Sequence, residues 1–188
     1  MKILKEHYVN LINDREAKEA CLDEVASLIL PTYAKLAGGH GRPTHDMHDY
    51  LDNKYFWKLV RKDNKIIAAV IYKLDGNNRK YNVGGTDGTP EGKQALYKIF
   101  ADDIILYDRG AYGEVSEKIE HIYLDKLGGK VIPNKIAQYI LKNRFNKDVI
   151  SLNPDGKHYT RMINGKPTEK VMVGNIPAEY LDLDPEFL

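Results

Sequence analysis

The first element that the pattern of apolar positions predicts is a helix near the N-terminus. Its apolar residues recur at helical spacing: Leu22, Val25, Ala26, Ile29 and Leu30. This spacing places them on one face of an α-helix, for which Asn13 or Asp14 provides the N-cap. We expect Pro31 to interrupt the helix and Gly38-Gly39 to end it.

Three strands are predicted next. Residues 56–61 and 65–73 are apolar and rich in branched and aromatic side chains, and residues 62–64 between them suit a hairpin turn. A third strand, at 79–83, runs directly into a glycine-rich stretch. The polar segment between the first helix and these strands is expected to be a loop or a short helix.

A second helix is predicted after the glycine-rich stretch. Residues 89–91, Thr-Pro-Glu, supply a cap, a proline in the first turn and an acid near the positive end of the helix dipole. The helix is expected to run to about Tyr107 and to bury Leu96, Ile99 and Phe100.

The remaining chain predicts a second group of mixed elements. In chain order these are a strand at 111–116, a helix at 117–127 ended by Gly128-Gly129, a helix at 134–143, and a hairpin with strands at 157–163 and 168–173 around Asn164-Gly165. Strands grouped with interspersed helices predict an α/β (α+β) fold, in which a single mixed, largely antiparallel sheet is flanked by helices. We expect one domain over residues 1–174 and a loosely attached C-terminal tail over residues 175–188.

Composition narrows the class of protein. The 28 lysines and arginines are balanced by 27 acidic residues, so no excess positive charge is present for bulk binding of nucleic acid. The single cysteine, Cys21, excludes an intrachain disulfide and a cysteine cluster for zinc. Charges interrupt the N-terminal residues, so neither a signal peptide nor a membrane span is predicted. We therefore expect a soluble cytoplasmic protein, and the sequence is compatible with a homodimer.

The glycine-rich stretch is the strongest indication of chemistry. A strand, a glycine-rich turn and a helix start bring unpaired amides and the helix dipole together, which favours binding of a phosphate group. A P-loop is excluded, because Asp87 stands where its first glycine is needed and Gln94 where its serine or threonine is needed. A Rossmann dinucleotide-binding loop is excluded as well, because its GxGxxG spacing is absent. The alternative is that the glycines only let a strand turn tightly into a capped helix.

The order of these elements, with strand, loop and helix at 79–107 in the middle, resembles the GCN5-related N-acetyltransferase family. The sequence IYLDKLGGKVIP is similar to the family's stretch after its fifth strand. The resemblance implies an acetyltransferase-like sheet and acetyl-CoA as cofactor, with its pyrophosphate on the loop amides. The implied cofactor-binding residues are Gly85, Thr86, Gly88, Thr89, Gly92, Lys93 and Gln94.

The resemblance also implies catalytic and substrate-binding residues. Glu114, on the strand after the loop helix, is expected to act as general base, and Tyr123 or Tyr159 to donate a proton to the departing thiolate. Ser116 shares the face of Glu114 and either contacts the acceptor or caps the helix that begins at Glu117.

A histidine-rich segment adds a second candidate site. His40, His45 and His48 lie close to Asp46 and Asp49, which is the densest group of metal-ligand types in the chain. Polar loops often collect histidines without ligand spacing, so no metal is expected. The resemblance implies that His45 and His48 border the acceptor site.

Three functions stay open at this point. The first is an acyl-CoA-dependent N-acetyltransferase that acts on an amine of a small molecule, a peptide or a nucleobase. The second is a non-catalytic protein of the same architecture that binds another protein. The third is an enzyme that binds a nucleotide through the same cradle.

Overall fold

The computed structural model describes residues 8–36, 47–105, 110–116, 120–126, 128–163, 165–175, 178–181 and 183. The helices are α1 (Arg15–Leu36), α2 (Pro90–Ile105), α3 (Asn134–Phe145) and α4 (Ala178–Leu181), with a 3-10 helix at Met47–Leu51 and a π-helical turn at Ile122–Lys126. The strands are β1 (Tyr8–Ile12), β2 (Tyr55–Lys62), β3 (Lys65–Asp75), β4 (Asn78–Thr86), β5 (Ala111–Ser116), β6 (Lys130–Ile132), β7 (Ser151–Leu152), β8 (His158–Ile163) and β9 (Lys166–Gly174). The chain divides into two compact units, residues 1–74 with 81–100 and residues 75–80 with 101–188.

The first unit is built on strands in the order β1-β2-β3-β4. Both β1 with β2 and β2 with β3 pair antiparallel. The apolar face of α1, with Val25 and Ile29, packs on Trp57, Ala69 and other buried side chains of the sheet. In α2, Phe100 packs against the ring of Tyr81 in β4. This unit contains the glycine-rich stretch.

Most local predictions for the first unit are confirmed. The hairpin turn lies at Asp63 and Asn64, both with positive φ, as a turn that matches strand twist requires. Asp14 caps α1, because its carboxylate accepts the Ala17 amide at 2.9 Å. The predicted interruption at Pro31 is wrong, since α1 continues through it to Leu36. The predicted end at Gly38-Gly39 lies outside the described residues.

The second unit contains the start of β4 and then strands in the order β5-β9-β8-β7. β9 pairs antiparallel with β5 along one edge, and with β6 and then β8 along the other. One face of this sheet packs on α3 through Ala137, Ile140 and Leu141. The other face packs on the π-helical turn. The predicted fold class, a mixed and largely antiparallel sheet flanked by helices, is confirmed.

The sequence missed four short elements, β1, β6, β7 and α4. They have five residues or fewer, which is too short for a periodic pattern to develop. The predicted stop at Gly128-Gly129 is confirmed by a glycine with positive φ and a backbone hydrogen bond to the preceding turn. Gly128 has a φ of +72°, and the amide of Gly129 donates to the carbonyl of Tyr123 at 2.9 Å.

Candidate functional site

The connection between β4 and α2 is a tightly capped turn. The hydroxyl of Thr89 accepts the amide of Gly92 at 3.1 Å, which is the N-cap bond that the sequence predicted. The same hydroxyl donates to the carboxylate of Asp87 at 2.5 Å, and the Thr89 amide donates to that carboxylate at 3.0 Å. The amide of Gly88 donates to the hydroxyl of Thr86 at 3.1 Å. Three of the loop amides are therefore bonded to side-chain oxygens of the loop itself.

A β-bulge in β3 anchors this turn to the sheet. The pairing register shifts so that Val60 faces Ala68 and Arg61 faces Ile66, which leaves Ile67 as the extra residue. The carbonyl of Ile67 accepts the amide of Asp87 at 3.0 Å. The bulge thus supplies the backbone acceptor that holds the beginning of the turn.

Two glycines of this region are required by close packing. A Cβ at Gly85 would lie 2.4 Å from the carbonyl oxygen of Leu28 in α1. A Cβ at Gly92 would lie 2.7 Å from the carbonyl oxygen of Ile67. Gly85 is inside β4 rather than in a loop, because the strand runs three residues beyond its predicted end. Gly88 differs from both, since its φ is +83° and nothing lies within 4 Å of an added Cβ.

The charges around the turn are mixed. Glu91, in the first turn of α2, forms an ion pair with Lys62 of β2. Lys93 and Gln94 are exposed on α2. The structure therefore brings Thr86, Gly88, Thr89 and Gly92 of the predicted cofactor loop together, and gives Gly85 a packing role in the neighbouring strand.

In the second unit, Arg161 and Tyr159 are both hydrogen-bond partners of Glu114. The Glu114 carboxylate accepts the Arg161 guanidinium twice, at 2.6 Å from Nε and 2.8 Å from Nη2, and the Tyr159 hydroxyl at 2.9 Å. Only 7% of the Glu114 side chain and 10% of the Arg161 side chain is exposed. Register explains the contact, since β9 separates β5 from β8 and all three side chains lie on the α3 face.

These contacts, together with burial, set the pKa values of Glu114 and Tyr159. Burial opposes ionisation of Glu114 most strongly, but the charges of Arg161 and Lys80 and the hydrogen bonds outweigh it and lower its pKa to about 2. Burial, followed by the Glu114 charge, raises the pKa of Tyr159 well above its ordinary value. Glu114 is therefore a weak proton acceptor, and Tyr159 holds its proton against Glu114. This geometry disfavours the predicted acid and base roles of this pair.

The other predicted site residues belong to different elements. Tyr123 lies in the π-helical turn and packs beside Val115, Val171 and Val173. Ser116 ends β5 and pairs with Lys170 of β9, and its predicted cap lies outside the described residues. His48 is exposed in the 3-10 helix of the first unit. His40 and His45 also lie outside the described residues.

Sequence reasoning missed a second buried network in the second unit. The Asp75 carboxylate accepts the hydroxyls of Tyr112 and Tyr180 at 2.7 and 2.8 Å. Arg144 of α3 donates to the Tyr180 hydroxyl at 3.0 Å. Tyr180 comes from α4, within the segment that the sequence predicted to be loosely attached, and it is 2% exposed. No local signal predicts this contact, because 105 residues separate Asp75 from Tyr180.

Sequence reasoning also missed the partners of His158. One ring nitrogen of His158 contacts the carboxylate of Asp155, and the other lies 3.1 Å from the carboxylate of Glu120. The turn sequence Asn153-Pro154-Asp155-Gly156 marks where the first partner lies, since Asp favours turns that bond to the following amides. The partner at position 120 has no such signal.

Two kinds of feature are absent from the described residues. No helix there is both long and apolar enough to cross a membrane. No group of three or more His, Cys, Asp or Glu side chains in that part of the chain is arranged to hold a metal ion.

Comparison with known proteins identifies the fold. No protein-family model and no curated protein matches the sequence. A probable acetyltransferase from Staphylococcus epidermidis is similar in structure, with a TM-score of 0.54 and 8% identity over 89% of this chain and 96% of that chain.

Two further solved structures agree. A spermidine N-acetyltransferase, a chimera of SpeG from Vibrio cholerae and hSSAT, has a TM-score of 0.52 and 11% identity over 95% of this chain and 100% of that chain. An agmatine N-acetyltransferase has a TM-score of 0.51 and 12% identity over 92% of this chain and 100% of that chain. The chain therefore has the acetyltransferase fold that its order of elements resembles. At these identities the likeness extends to the fold alone.

Proposed function

We propose that this chain is an acyl-CoA-dependent N-acetyltransferase that acts on an amine of a small molecule. The observation that carries the proposal is the acetyltransferase fold, which extends over 89–95% of the chain in the comparisons above. Two of the similar proteins are named for the acetylation of spermidine and agmatine. Both are small amines, and they support this class of acceptor over a peptide or a nucleobase.

In this proposal, the turn between β4 and α2 holds the pyrophosphate of acetyl-CoA, whose oxygens replace the side-chain oxygens that accept hydrogen bonds from the turn's amides. The amides of Gly88, Thr89 and Gly92 donate to side-chain oxygens, and a phosphate oxygen can replace a hydroxyl or carboxylate acceptor. The space beside Gly88 is open. The Asp87 carboxylate must turn away, because it repels a phosphate at short distance. Acetyl-CoA would supply the acetyl group, and these amides would hold its phosphates.

The proposed roles of the remaining residues follow from their contacts. Tyr123 is proposed as the proton donor, as the family resemblance implies. Glu114 and Tyr159 are proposed to hold β5, β9 and β8 in register through Arg161 rather than to transfer protons. Ser116 and His48 stay proposed contacts of the acceptor. Cytoplasmic location and a homodimer also stay predictions.

A second candidate function is supported by the same turn. Its amides at positions 87, 88, 89 and 92 have acceptors within the chain, and Pro90 has no N–H to offer at the start of α2. A non-catalytic protein that uses the fold to bind another protein needs no exposed amides at this position. The alternative of a nucleotide-binding enzyme uses the same donors for a different phosphate.

Calorimetric titration with acetyl-CoA, CoA, ATP and ADP-ribose separates these functions. We expect acetyl-CoA and CoA to bind the wild type, and transfer of the acetyl group to spermidine or agmatine to follow. Binding of ATP or ADP-ribose alone would favour the nucleotide-binding enzyme. No binding of any of the four ligands would favour the non-catalytic protein.

A matched pair of variants at Gly88 tests the position of the phosphates. Asn and Asp both tolerate positive φ, and neither meets an obstacle at this position, so G88N and G88D should both fold. G88D adds a negative charge beside the turn, and we expect it to weaken acetyl-CoA about tenfold more than G88N does. Equal affinities of the two variants would place the phosphates elsewhere.

A further inference from the structure

The imidazole of His158 bridges two carboxylates that come from different parts of the second unit. One ring nitrogen, Nδ1, contacts Asp155 in the turn before β8, and Nε2 lies 3.1 Å from a carboxylate oxygen of Glu120. The His158 side chain is 15% exposed and that of Glu120 is 22% exposed, so solvent screens the contact only in part. This bridge connects β8 to the segment 120–126.

The protonation state of the His158 ring determines how many carboxylates it can donate a hydrogen bond to. A protonated imidazole carries two N–H groups and donates to both carboxylates. A neutral imidazole carries one N–H, so its other nitrogen presents a lone pair to a carboxylate. One of the two contacts is therefore lost when the ring loses its proton.

When the His158 ring loses its proton, its contact with Asp155 is the one that is retained. The other oxygen of Asp155 accepts the backbone amides of Lys157 and His158 at 2.8 and 2.9 Å, which fixes this carboxylate within the turn. Glu120 precedes His158 by 38 residues and belongs to another element, so it can move away without breaking that turn.

The groups that face His158 set the direction of the pH effect. In the part of the chain that the structure describes, Asp155 and Glu120 are the carboxylates that contact the ring. On the neighbouring strand β9, Val171 pairs with His158, and Glu169 pairs with Thr160. The hydrogen bond to Asp155, opposed by partial burial and followed by the bond to Glu120, raises the pKa of His158. A raised pKa means that the bridge is complete below the ordinary pKa near 6.5 and is lost as pH rises through the raised value.

We infer that His158 is a pH-sensitive latch that holds the segment 120–126 on the sheet and releases Glu120 when the imidazole becomes neutral. This segment contains the π-helical turn, whose Tyr123 and Leu124 are only partly buried against the valines of β5 and β9. A segment with few buried contacts opens locally at low cost, so loss of one charged contact changes its population of open states. The inference rests on this geometry and not on the proposed acetyltransferase activity.

Nuclear magnetic resonance on the wild-type chain tests the latch directly. The His158 ring should titrate above the ordinary pKa of histidine. Over the same pH range, protection of the amides at 121–126, corrected for the intrinsic exchange rate, should fall about three- to tenfold. Protection that stays constant while the ring titrates would overturn the inference, and so would a ring that titrates at or below the ordinary pKa.

Three variants complete the test. E120Q removes the charge at the far end of the bridge, so its protection at 121–126 should be low at every pH. H158Q should behave in the same way. H121Q changes an exposed histidine beside Glu120 and should retain the pH dependence of the wild type. Retained pH dependence in E120Q would assign the effect to another group and overturn the latch. Acetyl-CoA is absent from all of these measurements, so the proposed function is tested separately.

Discussion

Replacement of Glu114 by glutamine tests whether this carboxylate holds the sheet together or serves as a base. In the wild type it accepts two hydrogen bonds from Arg161 and one from Tyr159 in a nearly dry environment. E114Q leaves the guanidinium without its counter-charge, and a buried charge that loses its partner is costly. We therefore expect E114Q to destabilise the second unit.

The expected loss in the free energy of unfolding of E114Q follows from two arguments. The pKa of Glu114 falls from an ordinary 4.5 to about 2. At about 1.4 kcal/mol for each pKa unit, this difference corresponds to roughly 3 kcal/mol of stabilisation of the ionised form. Loss of one partner of a buried ion pair costs about 3–5 kcal/mol in comparable cases. We expect E114Q to lower the free energy of unfolding by about 3 kcal/mol at pH 7.

Urea unfolding followed by circular dichroism measures this loss. R161M is the matched control, because it removes the other charge, and the double variant E114Q/R161M should cost less than the sum of the two single variants. A depressed pKa stabilises the fold above the unfolded pKa and loses that contribution as pH falls. The difference between wild type and E114Q should therefore be constant from pH 5 to 9 and shrink as pH falls from about 4.5 toward 2.

Two results would refute this reasoning. A cost below about 1 kcal/mol would mean that the ion pair contributes as little as a surface pair. A difference that changes between pH 6 and 8 would mean that Glu114 titrates there, as a general base does.

Three further predictions use the same unfolding assay. Y180F removes a hydroxyl that donates to Asp75 and should cost about 1–3 kcal/mol. Y81F removes a buried hydroxyl that has no hydrogen-bond partner among the described residues, so it should be neutral or stabilising. Equal losses would contradict this difference. G85A places a Cβ 2.4 Å from a carbonyl oxygen of α1 and should lower the free energy of unfolding by about 3 kcal/mol. G84A, whose nearest contact is 3.4 Å away, should lower it much less. A small loss in G85A would show that α1 can shift. K18M leaves two carbonyls without the ammonium that donates to them at 2.7 and 2.9 Å, and should cost about 2 kcal/mol; an unchanged midpoint would show that water replaces the ammonium.

Predictions from short stretches of sequence succeeded where neighbouring residues decide the structure. The turn at Asp63-Asn64, the cap at Thr89 and the ending at Gly128-Gly129 each depend on a few adjacent residues. Pro31 is the exception, because packing of the rest of the α1 face outweighs one lost backbone hydrogen bond.

The chemistry of the candidate site could not be predicted in the same way. The sequence favours a phosphate cradle that includes Gly85 and Gly92, and it does not indicate that each of them lies close to a carbonyl of a distant element. The predicted role of Glu114 as a base rests on the family resemblance alone, which carries no information on its neighbours in space. Arg161, which makes it a weak base, follows it by 47 residues.

The sequence by itself therefore determined most of the longer elements, the fold class and the N-caps of α1 and α2, since these depend on periodicity and on contacts within a few residues. Tertiary structure alone decided which charges meet. The distant partners of Glu114, Asp75 and His158 lie 37 to 105 residues away, and strand register and helix docking bring them together. A proton affinity depends on the charges and the burial around a group, so the role of each carboxylate is a property of the folded chain.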